Sequence, residues 1–260
     1  MLKSIIITLT TLALFACSVA PTDNVALTTF PYSMPDPSVS AETLPRVLIA
    51  SVNFGKPSRK YLRPYEDRVD GFVREYLKGA GFKMVASALF EDEWTNAVRR
   101  YGQPYNTTTG KLNEKAFAGV LQYVFAALKE RGTVDAVVFT DLIEREVSYG
   151  SSINRVVRFD GVTRKLHTSG PGSGVPRDFN WGQAVEAVSL WVNVFDMNVS
   201  SVFQGAGGVE VTQSLSLKST PKFIRRRAVL ANKRTIEEGL NLAFHPLITM
   251  KNYPGLPGEQ

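Results

Sequence analysis

The sequence predicts an α/β protein of the α+β kind: a mixed sheet that opens with a β-α-β unit, continues into antiparallel strands and ends in a C-terminal helix, with the helices packed on the sheet. Three observations predict it. Val47 to Phe54, VLIASVNF, is a near-continuous apolar run, the pattern of a strand covered on both faces. Val69, Phe72, Val73, Tyr76, Leu77 and Ala80 then recur at helical spacing. After Glu144 the apolar positions alternate instead, which is the period of antiparallel strands with one face toward solvent.

In order, the loop Gly55 to Pro64 leads into the helix carrying Val69 to Ala80, and Gly79 and Gly81 supply its stop. Phe82 to Ser87 gives a second short strand, parallel to the first through a right-handed crossover. Glu91 to Tyr101 is a second helical stretch, followed by the polar loop Gly102 to Lys111. A third helix runs from about Glu114 to Arg131, where Phe117, Val120, Leu121, Val124, Phe125 and Leu128 repeat the spacing between an Asn113 N-cap and a Gly132 stop. Val134 to Ile143 is another buried strand.

Beyond it, Glu144 to Tyr149 and Val156 to Thr168 read as charged antiparallel strands, and Ala187 to Asp196 and Val199 to Gln204 flank a tight turn at Asp196-Met197-Asn198. Val209, Val211, Leu215 and Leu217 alternate with Glu210, Thr212, Ser214 and Ser216, predicting a strand with one wet face. Gly205, Gly207 and Gly208 read as a hairpin connection. Ile236, Leu240, Ala243, Phe244 and Leu247 form one side of the last helix.

The first 17 residues, MLKSIIITLTTLALFAC, hold one Lys, an apolar run from Ile5 to Phe15 and the chain's single cysteine. A basic start and an apolar core too short for a bilayer span predict an export signal. Leu14-Phe15-Ala16-Cys17 resembles the lipobox of bacterial lipoproteins. That resemblance implies cleavage before Cys17, diacylglycerol on its thiol and anchoring in a membrane through lipid. A plain secretory signal that contains a cysteine is the alternative. Ser18, not Asp, follows the cysteine, which by the bacterial sorting rule implies the outer membrane.

The expected organisation is then residues 1–16 as signal peptide, 17–44 as a flexible lipidated tether rich in Pro, Thr, Ser and Ala, 45–248 as a periplasmic α/β domain and 249–260 as a disordered tail. The tether spans about 30 Å as a flexible chain and about 90 Å fully stretched. Lys3 leaves with the leader, so the mature chain carries about +5. That excess is too small to argue for nucleic acid, and export removes nucleic acid as a partner. A hydrophobic fraction of 44% is ample for a core. With Cys17 acylated, no thiol remains for a disulfide, a thiolate metal site or a nucleophile.

The order RVLIASVNF, a helix ending GAGFKMV, VDAVVFTDLIEREVSYGSSI, AVSLWVNVFDMNVSSVFQG and a C-terminal amphipathic helix resembles the α/β domain shared by the curli secretion lipoprotein CsgG, the penicillin-binding-protein activator LpoB and the N-terminal domain of TolB. The resemblance covers about Arg46 to Leu247. It departs at Asp196-Met197-Asn198, where the group carries Thr-Gly-Glu, and in the extra loop Gly102 to Lys111. It implies a binding or scaffold component in envelope assembly, secretion or activation of a partner protein. It also leaves open a subunit of an oligomeric secretion channel, with hairpins around Glu144 to Thr168 and Asp196 to Leu217 in a membrane barrel. Arg155, Arg158, Arg164 and Lys165 deny the first of these an apolar lipid face.

No catalytic constellation, metal or cofactor is expected. Ser219-Thr220-Pro221-Lys222 has Ser-x-x-Lys spacing and Ser152-Ile153-Asn154 has Ser-x-Asn, but their order is reversed and no Lys-Thr-Gly follows. His167 and His245 lie far apart with no cysteine partner. Asp135, Asp141, Glu144 and Glu146 cluster around one strand, where Asp141 and Glu144 read as strand-end carboxylates paired with Arg145 or solvated. A cell-wall hydrolase, the third class, needs two such carboxylates facing across a cleft.

Two features suit partners. Lys222, Arg225, Arg226 and Arg227, with Lys233 and Arg234, are the densest basic run, either a solvated face or a contact to peptidoglycan, lipid A phosphates or an acidic partner. Trp191 and Phe195 share one strand face opposite Val188, Leu190, Val192 and Val194, so one set faces helices and the other is placed for an envelope protein or a further copy of the chain.

Overall fold

The β-α-β opening forms one edge of a six-stranded mixed sheet. A computed structural model describes residues 31–51, 60–106, 108–149, 155–171, 174–218 and 220–250, Ser51 by its backbone alone. In chain order they hold β1 (Tyr32–Ser33), β2 (Arg46–Ser51), α1 (Arg63–Gly79), β3 (Lys83–Val85), α2 (Ala88–Tyr101), α3 (Glu114–Arg131), β4 (Ala136–Val147), β5 (Val156–Phe159), β6 (Val162–Lys165), β7 (Thr168–Ser169), β8 (Val185–Asp196), β9 (Ser201–Val211), β10 (Gln213–Ser216), β11 (Lys222–Arg225) and α4 (Lys233–Phe244). β2 is parallel to β3 and β4, while β4, β8, β9 and β1 pair antiparallel, in the order β1-β9-β8-β4-β2-β3.

Strand alternation sorts the core into two layers. Val47, Ile49, Val138, Leu190, Val192 and Val194 bury with Val69, Val73 and Leu77 of α1 and Ile236, Leu240 and Phe244 of α4. Leu48, Ala50, Val137 and Phe139 bury on the other face with Phe90 of α2 and Val120, Val124 and Leu128 of α3. The third helix has its predicted limits. The Asn113 side chain accepts from Ala116 N at 3.2 Å, and Gly132 takes φ 62° in the left-handed region at the stop.

Gly205, Gly207 and Gly208 are not a hairpin connection; they lie inside β9. A Cβ on Gly207 would overlap the Gly239 carbonyl oxygen and come within 2.7 Å of Ala243 N, and one on Gly205 would overlap the Ala243 carbonyl. Gly208 points the other way, against Phe159 and Val162 of the β5–β6 hairpin. Glycine is required here because helix backbone rests directly on strand backbone.

The strand predicted from Val209 to Leu217 breaks at Thr212, and β10 leaves to join a second sheet, β11-β10-β7. Its expected wet face is buried: Glu210, Thr212, Ser214 and Ser216 are each at most 5% exposed. The segment after β11 folds back over them, with Arg226 on Glu210, and Ser169 lies against Ser214. β4 likewise outruns its predicted end, pairing with β8 from Ala136–Asp196 to Val147–Val185. The charged strands after Glu144 are therefore split between β4 and the separate β5–β6 hairpin.

The fold also begins earlier than Arg46. Within the predicted tether, Tyr32 and Ser33 pair with Gly205 and Gln204, and Met34, Ala41 and Leu44 pack on the α1–α4 core. Asp36 and Ser40 accept from Ser38 N at 2.8 Å and Glu42 N at 3.2 Å, so the polar residues hold turns between the apolar ones. Met250, placed by the sequence in the tail, packs on the cluster of Tyr149, Val157 and Phe159. Residues 1–30, with Cys17, and 251–260 lie outside the described residues.

Arg46 and Asp135 close the start of the β2–β4 pair. The Asp135 carboxylate accepts from Arg46 Nη2 at 2.6 Å, Nε at 2.9 Å and backbone N at 2.8 Å, which holds it below the usual carboxylate range. A lowered carboxyl contributes stability above its unfolded value of about 4, and that contribution is lost as pH falls through the lower folded value. Asp135→Asn is therefore expected to flatten the acid loss of stability below about pH 4. Urea midpoints measured across that range test it, and an unchanged pH slope would count against the pair.

Candidate functional site

β8 presents Trp191, Asn193 and Phe195 on the sheet face that carries α2 and α3, opposite Val188, Leu190, Val192 and Val194, as alternation predicts. Beside β8, α3 and the loop after α2 stand back from the sheet. They leave an apolar cavity of about 330 Å³ bounded by Phe117 and Leu121 of α3, Tyr105 and Leu112 of the loop, and Phe139, Trp191 and Phe195 of the sheet. That volume and lining fall in the range of ligand and side-chain pockets.

The loop that roofs this cavity is built. Tyr105 and Leu112 bridge across it, and Asn106 Oδ1 accepts from Thr108 N at 2.9 Å and Thr109 N at 2.8 Å. Burial, with the Asp141 carboxylate adding to it, pushes the Tyr105 phenol up, so the ring stays neutral. Asn193 gives the wall a polar group and accepts from Ser201 Oγ at 2.8 Å. Leu112 at the mouth is 43% exposed.

Trp191 also borders a second, more polar cleft of about 570 Å³, with Tyr32 and Ser33 of β1, Asp141, Ile143 and Arg145 of β4, and Gln204 of β9. Arg145 is not the partner of Asp141 or Glu144 there; its Nε donates to Asp160 Oδ2 at 2.6 Å. The indole thus stands between an apolar chamber and a polar trough. This arrangement offers ring surface for stacking and flanking groups for hydrogen bonds, which is recognition chemistry.

The acids named from sequence do not converge. Asp141 and Glu144 are mid-strand on opposite faces of β4, Asp141 across from Trp191 and Glu144 beside Tyr61. Asp135 is held by Arg46. Burial lowers the His167 imidazole, with Arg226 adding to the shift and Glu210 opposing it, and His245 ends α4 with its Nδ1 accepting from Met250 N at 3.4 Å. Ser152, Asn154 and Ser219 lie outside the described residues. Among the described residues, no group of three or more His, Cys, Asp or Glu is placed to hold a metal ion, and no helix is long and apolar enough to cross a membrane.

The basic run divides. Arg225 pairs with Glu186 at 2.5 Å and lies 3.6 Å over the Tyr61 ring. Arg226 Nη1 donates to Glu210 Oε2 at 3.0 Å and to Val211 O at 2.9 Å, while the other Glu210 oxygen accepts from Leu230 N. Of the four cations named from sequence, Arg226 is committed inside the fold, Arg225 is exposed but paired, and Lys222 and Arg227 are exposed. Sequence reasoning missed that the start of α1 adds Lys60, Arg63 and Arg68 to the same surface. The signal was present in the loop GKPSRKYLRP, whose charge was read only as that of a connection.

No protein-family model matches the chain, and no curated protein matches it. Among solved structures, a PelC dodecamer from Paraburkholderia phytofirmans aligns at 9% identity over 83% of this chain and 94% of that chain, with a TM-score of 0.31. So loose a superposition informs neither fold nor function.

Proposed function

We propose that this chain is a lipid-anchored protein of the bacterial outer membrane whose periplasmic domain, without enzymatic activity, binds another envelope protein through the Trp191 face. The observation that carries the binding role is the paired chamber and trough with an indole at their boundary. A large ring at the centre of a patch with polar groups around it is the composition of an interface hot spot. The anchor rests on the Leu-x-Ala-Cys pattern ending at Cys17. The channel-subunit reading has less support. β8 and β9 pair with each other inside the sheet, and Arg164 donates to Val209 O at 2.5 Å and to Glu238 at 2.8 Å where a lipid-facing strand needs apolar groups.

A photo-crosslinking residue at Leu112 in intact cells is expected to capture one discrete envelope protein. Trp191→Ala should weaken that association about 30-fold, the scale of a hot-spot truncation. An adduct of unchanged yield in the Trp191 variant would remove the face from consideration. Cys17→Ala should leave the domain folded and abolish function, and retained function would refute the anchored reading.

A further inference from the structure

Two basic stretches distant in sequence meet at one end of the fold. Lys60, Arg63 and Arg68 at the start of α1 stand beside Arg227, Lys233 and Arg234 at the start of α4, and all six are exposed. Two contacts join them: the Arg225 guanidinium over the Tyr61 ring, and Arg68 Nη2 donating to Ala231 O at 3.3 Å. Acids stand among them, and several are already engaged: Glu237 pairs with Lys233 at 3.3 Å, Glu186 with Arg225 at 2.5 Å and Glu238 with Arg164 at 2.8 Å, while Glu66 and Asp67 lie near the start of α1.

Strand register fixes which end this is. β2 and β4 run parallel, so β2 ends level with Thr140, Val192 and Gly205 and points toward the end marked by Val147 of β4, Val185 of β8 and Val211 of β9. α4 crosses β9 with Gly239 over Gly207 and Ala243 over Gly205, so its first turn also lies toward Val211. β1 pairs Ser33 with Gln204 and Tyr32 with Gly205, and Pro31 O accepts from Ala206 N at 3.0 Å. Traced backwards through Pro31, the backbone therefore heads for the same end as the positive charge.

We propose that this end is an electrostatic docking surface for the anionic phospholipid headgroups of the bilayer in which the chain is anchored. It deepens the lipid-anchored reading above: the two chains of the diacylglycerol hold the amino terminus in the bilayer, and the basic patch holds this end of the domain against its headgroups. The occupant follows from charge complementarity and from the direction in which the backbone runs back through Pro31. Each Lys or Arg near such a surface strengthens partition about fivefold and loses its effect beyond a Debye length.

The test uses residues 18–260, which contain every described element and carry no acyl group, sedimented with phosphatidylcholine vesicles with or without phosphatidylglycerol. Anionic vesicles are expected to bind on the order of 100-fold more strongly than neutral ones, and high salt should erase the difference. Reversal of four cations (K60E, R63E, R227E and R234E) should abolish the preference, whereas R99E with K115E, on the other helical layer, should leave it intact. If the fourfold variant loses its circular dichroism, the double variant R227E/R234E reads the same effect as a loss of at least about tenfold. Equal binding to both vesicle types, or a preference that survives the reversals, overturns the proposal. Retention on purified peptidoglycan without preference for anionic vesicles overturns it too. Because this chain lacks Cys17, such failures leave the anchored reading to its own test, the mass of the mature N-terminus.

Discussion

Gly207→Val is expected to lift α4 off the sheet and remove roughly 3 kcal/mol or more of stability. The new methyls would need the space now held by the Gly239 carbonyl and the Ala243 amide, and backbone on both sides of the contact leaves nothing that yields by rotamer change. Loss of that seat also loosens Ile236, Leu240 and Phe244, which are buried against β8, β9 and α1. Gly71 supplies the control, because a Cβ there meets nothing within 4 Å; Gly71→Ala on α1 should gain about 0.5–1 kcal/mol. Urea midpoints of the two variants should move in opposite directions. A Gly207 variant with the parent midpoint would mean that α4 does not rest on β9.

Arg226→Met should cost about 3–5 kcal/mol, the scale of breaking a buried ion pair from one side. Glu210 is 5% exposed, and Arg226 supplies the charge that offsets its desolvation. The neighbouring exposed Arg227→Met should stay within about 0.5 kcal/mol. Replacing both Glu210 and Arg226 by apolar residues should cost less than removing Arg226 alone, since no lone charge is then left inside. Chemical denaturation of the three variants checks the order. If Arg226 and Arg227 behave alike, the division of the basic run between fold and surface is wrong.

The α-helices were the legible part of the chain, because their apolar stripes, caps and stops are local. Asn113 and Gly132 bracket α3 where the spacing put them, and Trp191 and Phe195 share the face that strand alternation gives. What sequence reasoning misread depends on contacts made from far away. Nothing near Gly205 or Gly207 announces a helix crossing from beyond residue 232, so the glycines read as a turn. Glu210, Thr212, Ser214 and Ser216 alternate like a wet face, and what covers them comes from distant segments, the chain returning after β11 and Ser169 of β7. The cavity beside Trp191 was half legible. Its sheet wall follows from periodicity, but its roof is the loop after α2, whose polar composition hid the parts that Tyr105 and Leu112 play in lining it.

The short edge strand β1 has a mechanical consequence. Any tension arriving from the amino terminus meets the paired backbone of Tyr32 and Ser33 along the strand axis, so the first rungs are loaded in shear together and not peeled one at a time. Behind them, the packed segment from Met34 to Leu44 can unspool before the pull reaches β2 beside the far edge of the sheet, making it a strain relief between the amino terminus and the rest of the molecule.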